Sequence, residues 1–198
     1  MNLPNILTLS RMMLAFVFMY FLFSHGTLAK FLAISVFFLA TLTDYYDGYF
    51  ARKKNITTSF GKLMDPIADK ILVLSAFLSF VEMKLMPAWM AMVIVFRELV
   101  ITGVRLLAIT NGTVIPAMRA GKHKTVSQYF AIILTLGILF IREIMVEKSM
   151  GIKFWTTGFH SLLFSVFLFT TFLTLISGIS FLYYHRFYLI ENKKKEQD

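Results

Sequence analysis

The chain contains no cysteine among its 198 residues, and its 11 acidic residues are outnumbered by 20 lysines and arginines. Without cysteine, a disulfide framework, a thiolate metal site and a cysteine nucleophile are excluded. The sequence also lacks a Walker A motif, a zinc-binding HExxH motif and the alternating oxygen ligands of an EF-hand loop. The commonest signatures of nucleotide, zinc and calcium binding are therefore absent.

What the chain has in abundance is apolar surface. Hydrophobic residues make up 58% of it, phenylalanine alone supplies 22 residues, and the mean hydropathy is +0.71. Long apolar runs recur, each near the ~20 residues that a helix needs to cross a hydrocarbon core. These runs are continuous rather than alternating, which favours helices over a β-barrel. The sequence predicts an all-α integral membrane protein.

Six transmembrane helices are predicted, in a single domain that covers residues 1–198. Lysines and arginines concentrate after the second and fourth of these spans and in the C-terminal tail. By the positive-inside rule, both termini and these loops face the cytoplasm, in the cell membrane. The net charge of +9 fits this orientation and anionic lipid, and we expect no nucleic acid partner. The predicted spans are Leu7–Phe23, Leu28–Phe50, Leu63–Met83, Pro87–Ile109, Val126–Val146 and Phe154–Tyr184.

One stretch, "DYYDGYFARKKNITTSFGKLMDPIAD", places four aspartates at the ends of two apolar spans. Residues three or four apart share a helix face, so Asp44 and Asp47 lie on one face, and Asp65 and Asp69 on another. The short connection predicts antiparallel neighbours whose carboxylates converge on one polar, cytoplasm-facing cavity. Unpaired carboxylates repel one another and are costly near lipid, so the cluster predicts divalent cations.

An all-oxygen site suits Mg²⁺, Mn²⁺ or Ca²⁺ better than zinc. Carboxylates shared between two ions about 4 Å apart are an arrangement used in phosphoryl displacement. Gly48 and Gly61 lack a Cβ atom and allow a ligand or helix to approach closely. Arg52 offers a planar fork for a phosphate. The pattern indicates metal-assisted chemistry on a phosphate compound.

The spacing D-x2-D-G-x2-A-R-x8-G-x3-D-x3-D resembles, position for position, the signature of the CDP-alcohol phosphotransferases. "NLPNILTLSR", "FRELVITGVRLLA" and "GKHKT" look like the branch of this family that accepts glycerol 3-phosphate. Together these segments span the first two thirds of the chain, and the last predicted span carries no such motif.

The resemblance implies transfer of the phosphatidyl group of CDP-diacylglycerol to an alcohol, with release of CMP. It implies that Asp44, Asp47, Asp65 and Asp69 hold two divalent ions, Mg²⁺ or Mn²⁺, and that Asp69 is also the general base. Direct attack of the acceptor is expected, with a covalent aspartyl intermediate left open. A homodimer is typical of the family. The residues implied to contact CDP-diacylglycerol are Asn5, Thr8, Gly48, Arg52 and Thr58.

An excess of cations near the cavity indicates a phosphate-bearing acceptor, and glycerol 3-phosphate fits. Arg97 and Arg105 lie two turns apart on one face of the fourth span, and intramembrane charges should face a cavity or a partner. The alternative is that Arg97 pairs with Glu98 and that the loop lysines face anionic lipid. The candidate acceptor-binding residues are Arg97, Arg105, Arg119, Lys122 and Lys124, the last three in the loop before the fifth span.

Three other functions remain open from the sequence. The same chemistry could use inositol phosphate, phosphatidylglycerol or serine as acceptor. An ion or phosphate transporter would place its carboxylates near the bilayer midplane, in helices broken in both halves of the chain. A membrane scaffold without activity would have no need of the aspartate motif.

Overall fold

A computed structural model describes residues 3–54, 59–110, 119–148 and 153–184 of the chain. It describes the side chains of 9–43, 70–109, 121–148 and 158–184. Within these ranges the chain forms six helices and no other regular element. They are α1 (Leu3–Phe23), α2 (Thr27–Lys54), α3 (Ser59–Glu82), α4 (Ala88–Thr110), α5 (Arg119–Glu147) and α6 (Lys153–Tyr184).

The predicted all-helical architecture is confirmed, and each predicted span falls on one helix. The largest difference is at α5, which begins at Arg119 rather than at Val126. Its first two turns, "RAGKHKT", are too polar to be assigned to a membrane span by hydropathy. They are helical nonetheless, and alanine and lysine are good helix formers. The prediction that Lys122 and Lys124 lie in a loop is therefore wrong, because both belong to a helix.

Aromatic side chains form much of the interior. On one side, Phe18 of α1 contacts Phe37 of α2 with ring centroids 5.6 Å apart, and Phe37 contacts Tyr129 of α5 at 6.0 Å. On the other, Phe167 of α6 meets Phe80 of α3 at 5.9 Å. Tilted and edge-on ring pairs add to the burial of their surface. Helix α3 packs against α1, α2, α4 and α5, while α6 packs against α4 and α5.

Large apolar side chains also cover the exterior. Phe16 of α1, Phe96 of α4 and Phe172 of α6 are 68%, 69% and 60% exposed. Water-soluble proteins rarely show such surfaces, whereas lipid accepts them. Of the helical stretches that the structure describes, two are long and apolar enough to cross a membrane, Gly121–Glu147 and Gly158–Tyr184. The chain is an integral membrane protein.

Three threonine hydroxyls buried in α5 and α6 are satisfied within their own helix. Thr135, Thr171 and Thr174 each donate to the carbonyl four residues earlier, at 2.7–2.8 Å. Lipid offers no hydrogen bonds, so this internal pairing allows polar side chains at membrane depth.

Side chains from other helices complete the end of the bundle where α1 turns into α2. The Lys30 ammonium donates to the Leu22 and Ser24 carbonyl oxygens at the end of α1, both at 2.7 Å. The first amides of α2 donate to carboxylates of α5: Gly26 N to Glu143 Oε1 at 2.7 Å, and Thr27 N to Glu147 Oε1 at 2.8 Å. Helix ends leave such groups unpaired, and opposite charge at each end is stabilising.

The connection between α3 and α4 lies at the same end and forms a Schellman motif. Lys84 N donates to the Val81 carbonyl and Leu85 N to the Phe80 carbonyl, both at 2.9 Å. Lys84 occupies the left-handed position with φ of 57°, where glycine is the usual residue. A side chain in this conformation costs about 1–2 kcal/mol.

Substitution Lys84→Gly is expected to stabilise the fold by about 1 kcal/mol, because glycine adopts the left-handed conformation without a steric penalty. Thermal unfolding of the detergent-solubilised protein would show a midpoint raised by about 2–4 °C. Glu82→Gly, which falls inside the last turn of α3, is the control and should lower the midpoint. A lower midpoint for Lys84→Gly would contradict this account of the turn.

Candidate active site

The aspartate motif lies at the end of the bundle opposite the α3–α4 turn. The backbones of Asp44 and Asp47 belong to α2, and those of Asp65 and Asp69 belong to the start of α3. Their side chains lie outside the described residues, so the metal site stays a prediction. The same holds for the predicted nucleotide-contacting residues. Only the backbones of Asn5, Thr8, Gly48 and Arg52 are described, as parts of α1 and α2, and Thr58 lies wholly outside the described residues.

Beside this end of α3, a buried carboxylate forms ion pairs with three cationic side chains. Glu98 of α4 is 3% exposed, and its Oε2 accepts from Lys70 Nζ of α3 at 2.7 Å. Its Oε1 accepts from Arg97 Nη1 at 3.0 Å and also contacts Lys124 Nζ of α5. We call Lys70, Arg97, Glu98 and Lys124 the Glu98 cluster. It joins α3, α4 and α5 through charge-assisted hydrogen bonds, which are stronger than neutral ones.

Arg97 extends the Glu98 cluster to α6. Its Nη2 donates to the Ser177 hydroxyl at 2.7 Å. The neighbouring Gly178 makes room for the side chain, since a Cβ built on it would lie 3.0 Å from Arg97 Cγ. The absence of a side chain at Gly178 therefore lets the arginine cross the surface of α6.

Arg105 follows two turns after Arg97 and faces the same helix. Its guanidinium lies 5.4 Å from the centre of the Phe181 ring, one turn beyond Ser177 on α6. The Nε atoms of Arg97 and Arg105 are both buried without a hydrogen-bond partner among the described residues. Buried donors are normally satisfied, so these two unpaired Nε donors, on the same side of α4, are unusual.

The predicted acceptor residues divide into two groups. Arg97, Arg105 and Lys124 are brought together at the meeting of α4, α5 and α6. Lys122 is exposed, whereas Lys124 is buried, because residues two apart on a helix point to different faces. Arg119 begins α5, and its side chain lies outside the described residues. The alternative that Arg97 pairs with Glu98 is confirmed, and the Nε atom of Arg97 is left without a partner.

Sequence reasoning missed two contributors, Lys70 and Ser177. Lys70 directly follows Asp69, and a charge inside an apolar span was an available signal. Ser177 and Gly178 form a small pair within a helix of bulky residues, which marks a close helix approach. Lys70 carries the more important consequence, because its bond to Glu98 ties the motif-bearing end of α3 to the arginines of α4.

The fold and the Glu98 cluster define a helical membrane protein with a group of cations beside the helix that carries Asp65 and Asp69 near its start. The family model described as CDP-alcohol phosphatidyltransferase matches residues 1–158. A CDP-diacylglycerol–glycerol-3-phosphate 3-phosphatidyltransferase of Bacillus subtilis (strain 168) is 42% identical over 143 residues, covering 66% of this chain and 74% of the relative.

A protein of the same description from Rickettsia typhi is 35% identical over 181 residues, covering 91% of this chain and 94% of the relative. A probable phosphatidylglycerophosphate synthase of Mycobacterium tuberculosis (strain H37Rv) is 42% identical over 134 residues, 66% of this chain and 64% of the relative. The chain belongs to the CDP-alcohol phosphatidyltransferase family and is a membrane enzyme. This membership favours the transferase over the transporter and the scaffold.

Neutralising Glu98 is expected to destabilise the protein strongly. Glu98→Gln leaves buried cations without a counter-charge, which typically costs about 3–5 kcal/mol. Chemical unfolding in detergent would measure it, with the exposed Glu82→Gln as the matched control. In the double variant Glu98→Gln/Lys124→Gln, part of the loss should be recovered, with a coupling of about 1–3 kcal/mol. Additive single effects would contradict the role of the Glu98 cluster.

Gly178→Ala tests the crossing of Arg97 over α6. The added methyl would press on Arg97 Cγ, and overpacking of this kind costs about 1–3 kcal/mol. Gly103→Ala is the matched control, because a Cβ built at Gly103 meets nothing within 4 Å. Both changes carry the same gain in helix propensity, so their difference in unfolding free energy isolates the clash. Equal stabilities would show that the arginine does not depend on this glycine.

Proposed function

We propose that this enzyme transfers the phosphatidyl group of CDP-diacylglycerol to glycerol 3-phosphate, giving phosphatidylglycerophosphate and CMP. The relatives that are named for this reaction support the proposal at 35–42% identity. The observation that carries it is the cluster of cations on α4 and its neighbours. Arg97 and Arg105 each have a guanidinium nitrogen without a partner, and they lie beside the helix that carries Asp65 and Asp69 near its start.

A phosphate-bearing acceptor explains this cluster of cations better than serine does. Among the residues whose side chains the structure describes, Lys70, Arg97 and Lys124 pair with one carboxylate, Glu98, and Arg105 lies nearby against Phe181. A phosphate monoester brings the missing negative charge, and arginine binds it through paired N–H groups. Arg119 and Lys122, in the first turn of α5, belong to the same proposed acceptor-binding set.

Asp44, Asp47, Asp65 and Asp69 are proposed to hold two divalent ions, Mg²⁺ or Mn²⁺. The donor set fits, because it consists of carboxylate oxygens alone, which hard cations prefer. Their backbones belong to α2 and α3, two helices that contact each other. Bound ions of this kind offset the charge of a diphosphate and of its leaving group.

Asp69 is proposed to act as the general base. It takes the proton of the acceptor hydroxyl, whose oxygen then forms a bond to the lipid-side phosphorus of CDP-diacylglycerol. The bond from that phosphorus to the bridging oxygen breaks, and CMP leaves with the electron pair. Arg97, Arg105 and Lys124 bind the phosphate of the acceptor. Its hydroxyl is thereby held in the orientation that the attack requires.

The remaining proposed contacts concern the donor and the orientation of the chain. Asn5, Thr8, Gly48, Arg52 and Thr58 bind the cytidine diphosphate part. Residues 1–198 act as one domain of six transmembrane helices in the cytoplasmic membrane, with the cavity facing the cytoplasm. The positive charges in the last turn of α2 and the first turns of α5 support this orientation. The enzyme is proposed to work as a homodimer.

Release of CMP by the purified protein tests the reaction. With CDP-diacylglycerol and Mg²⁺ or Mn²⁺, release should depend on glycerol 3-phosphate and vanish in Asp69→Asn, which removes the base. Arg105→Gln should raise the KM for glycerol 3-phosphate by about tenfold or more, since a charged hydrogen bond is lost. Arg142→Gln, an equal loss of charge at the opposite end of the bundle, is the control.

Inositol phosphate, phosphatidylglycerol and serine are the competing acceptors. Release with only one of these would keep the chemistry and overturn the assignment of glycerol 3-phosphate. An unchanged KM in Arg105→Gln would remove the arginine from the acceptor site. Absence of release with every acceptor, in protein shown to be folded, would overturn the proposed function.

A further inference from the structure

At the end of the bundle away from the aspartates, the structure contains an apolar cavity of about 240 Å³. It is enclosed by the end of α3, the last turns of α5 and the first turns of α6. The helical rise of ~1.5 Å per residue puts Met83 about 21 Å from Asp69 along α3, so this cavity is separate from the proposed active site. Its apolar lining includes Ile138, Leu139, Met145, Phe159 and Leu163.

A second, more open groove of about 510 Å³ adjoins this cavity, between the α3–α4 turn and α6. Lys84, Leu85 and His160 line both spaces. Two apolar grooves that diverge from a shared polar rim match the shape of a lipid with two acyl chains. In a bilayer, hydrocarbon chains fill such grooves more favourably than water does.

The rim of the cavity is basic. Lys84, Arg142 and His160 line it, and within the described part of the chain none of them forms an ion pair. The carboxylates of Glu143 and Glu147 accept hydrogen bonds from the amides of Gly26 and Thr27 instead. The ammonium of Lys84 and the guanidinium of Arg142 can therefore both pair with an anionic group at the rim.

Two further observations favour a lipid headgroup. Lys84 keeps a side chain at a left-handed position where glycine would be relaxed, and such strain marks positions held for another reason. Trp89, in the first turn of α4, is 51% exposed, as expected for an aromatic anchor at the membrane interface. An interfacial position of Trp89 would place the basic rim near the phospholipid phosphates.

We propose that this surface binds one phospholipid with an anionic headgroup, such as phosphatidylglycerol. Its phosphate contacts Lys84 and Arg142, and its acyl chains enter the cavity and the adjoining groove. This site is independent of the proposed transferase chemistry, because none of its residues belongs to the aspartate motif or to the Glu98 cluster.

Native mass spectrometry of the full chain, released from micelles that contain equal phosphatidylglycerol and phosphatidylethanolamine, tests the proposal. One phosphatidylglycerol per chain should be retained preferentially. Lys84→Gly and Arg142→Gln should each lower that preference by about fivefold or more, as expected for loss of a charged contact. Lys84→Gly is informative because the backbone at this position favours glycine. Lys148→Gln, an exposed cation outside the cavity, should leave the preference unchanged.

The apolar half of the site has its own pair of variants. Met145→Trp fills the cavity and should reduce retention, whereas Ile141→Trp, one turn earlier on the outer surface of α5, should not. Asp69→Asn should retain the lipid as the unaltered protein does, so a failed transferase proposal leaves this one testable.

Three results would overturn the proposal. One is equal retention of the two lipids, and another is an equal loss of retention in the control and test variants. The third is a change from dimer to monomer in Arg142→Gln or Met145→Trp with unchanged lipid retention. That result would assign this face to contact between two copies of the chain.

Discussion

The two carboxylate oxygens of Glu98 form ion pairs with Lys70, Arg97 and Lys124. The arrangement of the helices around the candidate site depends on these ion pairs. A buried charge is expensive unless it is paired, so the contact strongly favours one relative position of α3, α4 and α5 over any shifted one. Because Arg97 continues to Ser177, the position of α6 is coupled to it as well. Hydrophobic contacts between helices in lipid discriminate weakly between registers, and charged contacts supply the specificity they lack.

The sequence was a good guide wherever the signal was local. Apolar runs gave the positions of the helices, and the fixed spacing of the aspartates gave the family, because both are read from neighbouring residues. The start of α5 was missed because polar residues hide a helix from a hydropathy criterion. Of the Glu98 cluster, only the pair of Arg97 with Glu98 was open to sequence reasoning. Lys70 and Glu98 are far apart in the chain, and only the packing of α3 on α4 makes them partners.

The same reasoning explains why Lys124 and Lys122 differ. As loop residues the two lysines would be equivalent, but a helical backbone sends one to the interior and the other to the surface. Whether a cation binds a ligand, a carboxylate or a lipid headgroup is decided by which helix face it occupies, and composition does not contain that information. Seven of the 11 acids of the chain belong to the motif, to the Glu98 cluster or to the bonds with the amides at the start of α2.

The bonds from the first amides of α2 to Glu143 and Glu147 have a consequence for how the protein is made. α2 leaves the ribosome long before α5, so its first amides must rely on water or headgroups until the fifth helix arrives. During most of synthesis, the α1–α2 hairpin therefore lacks the carboxylate partners of the amides at its turn. These two hydrogen bonds form only after α5 has inserted. Their formation therefore reports that α5 has packed against the first two helices.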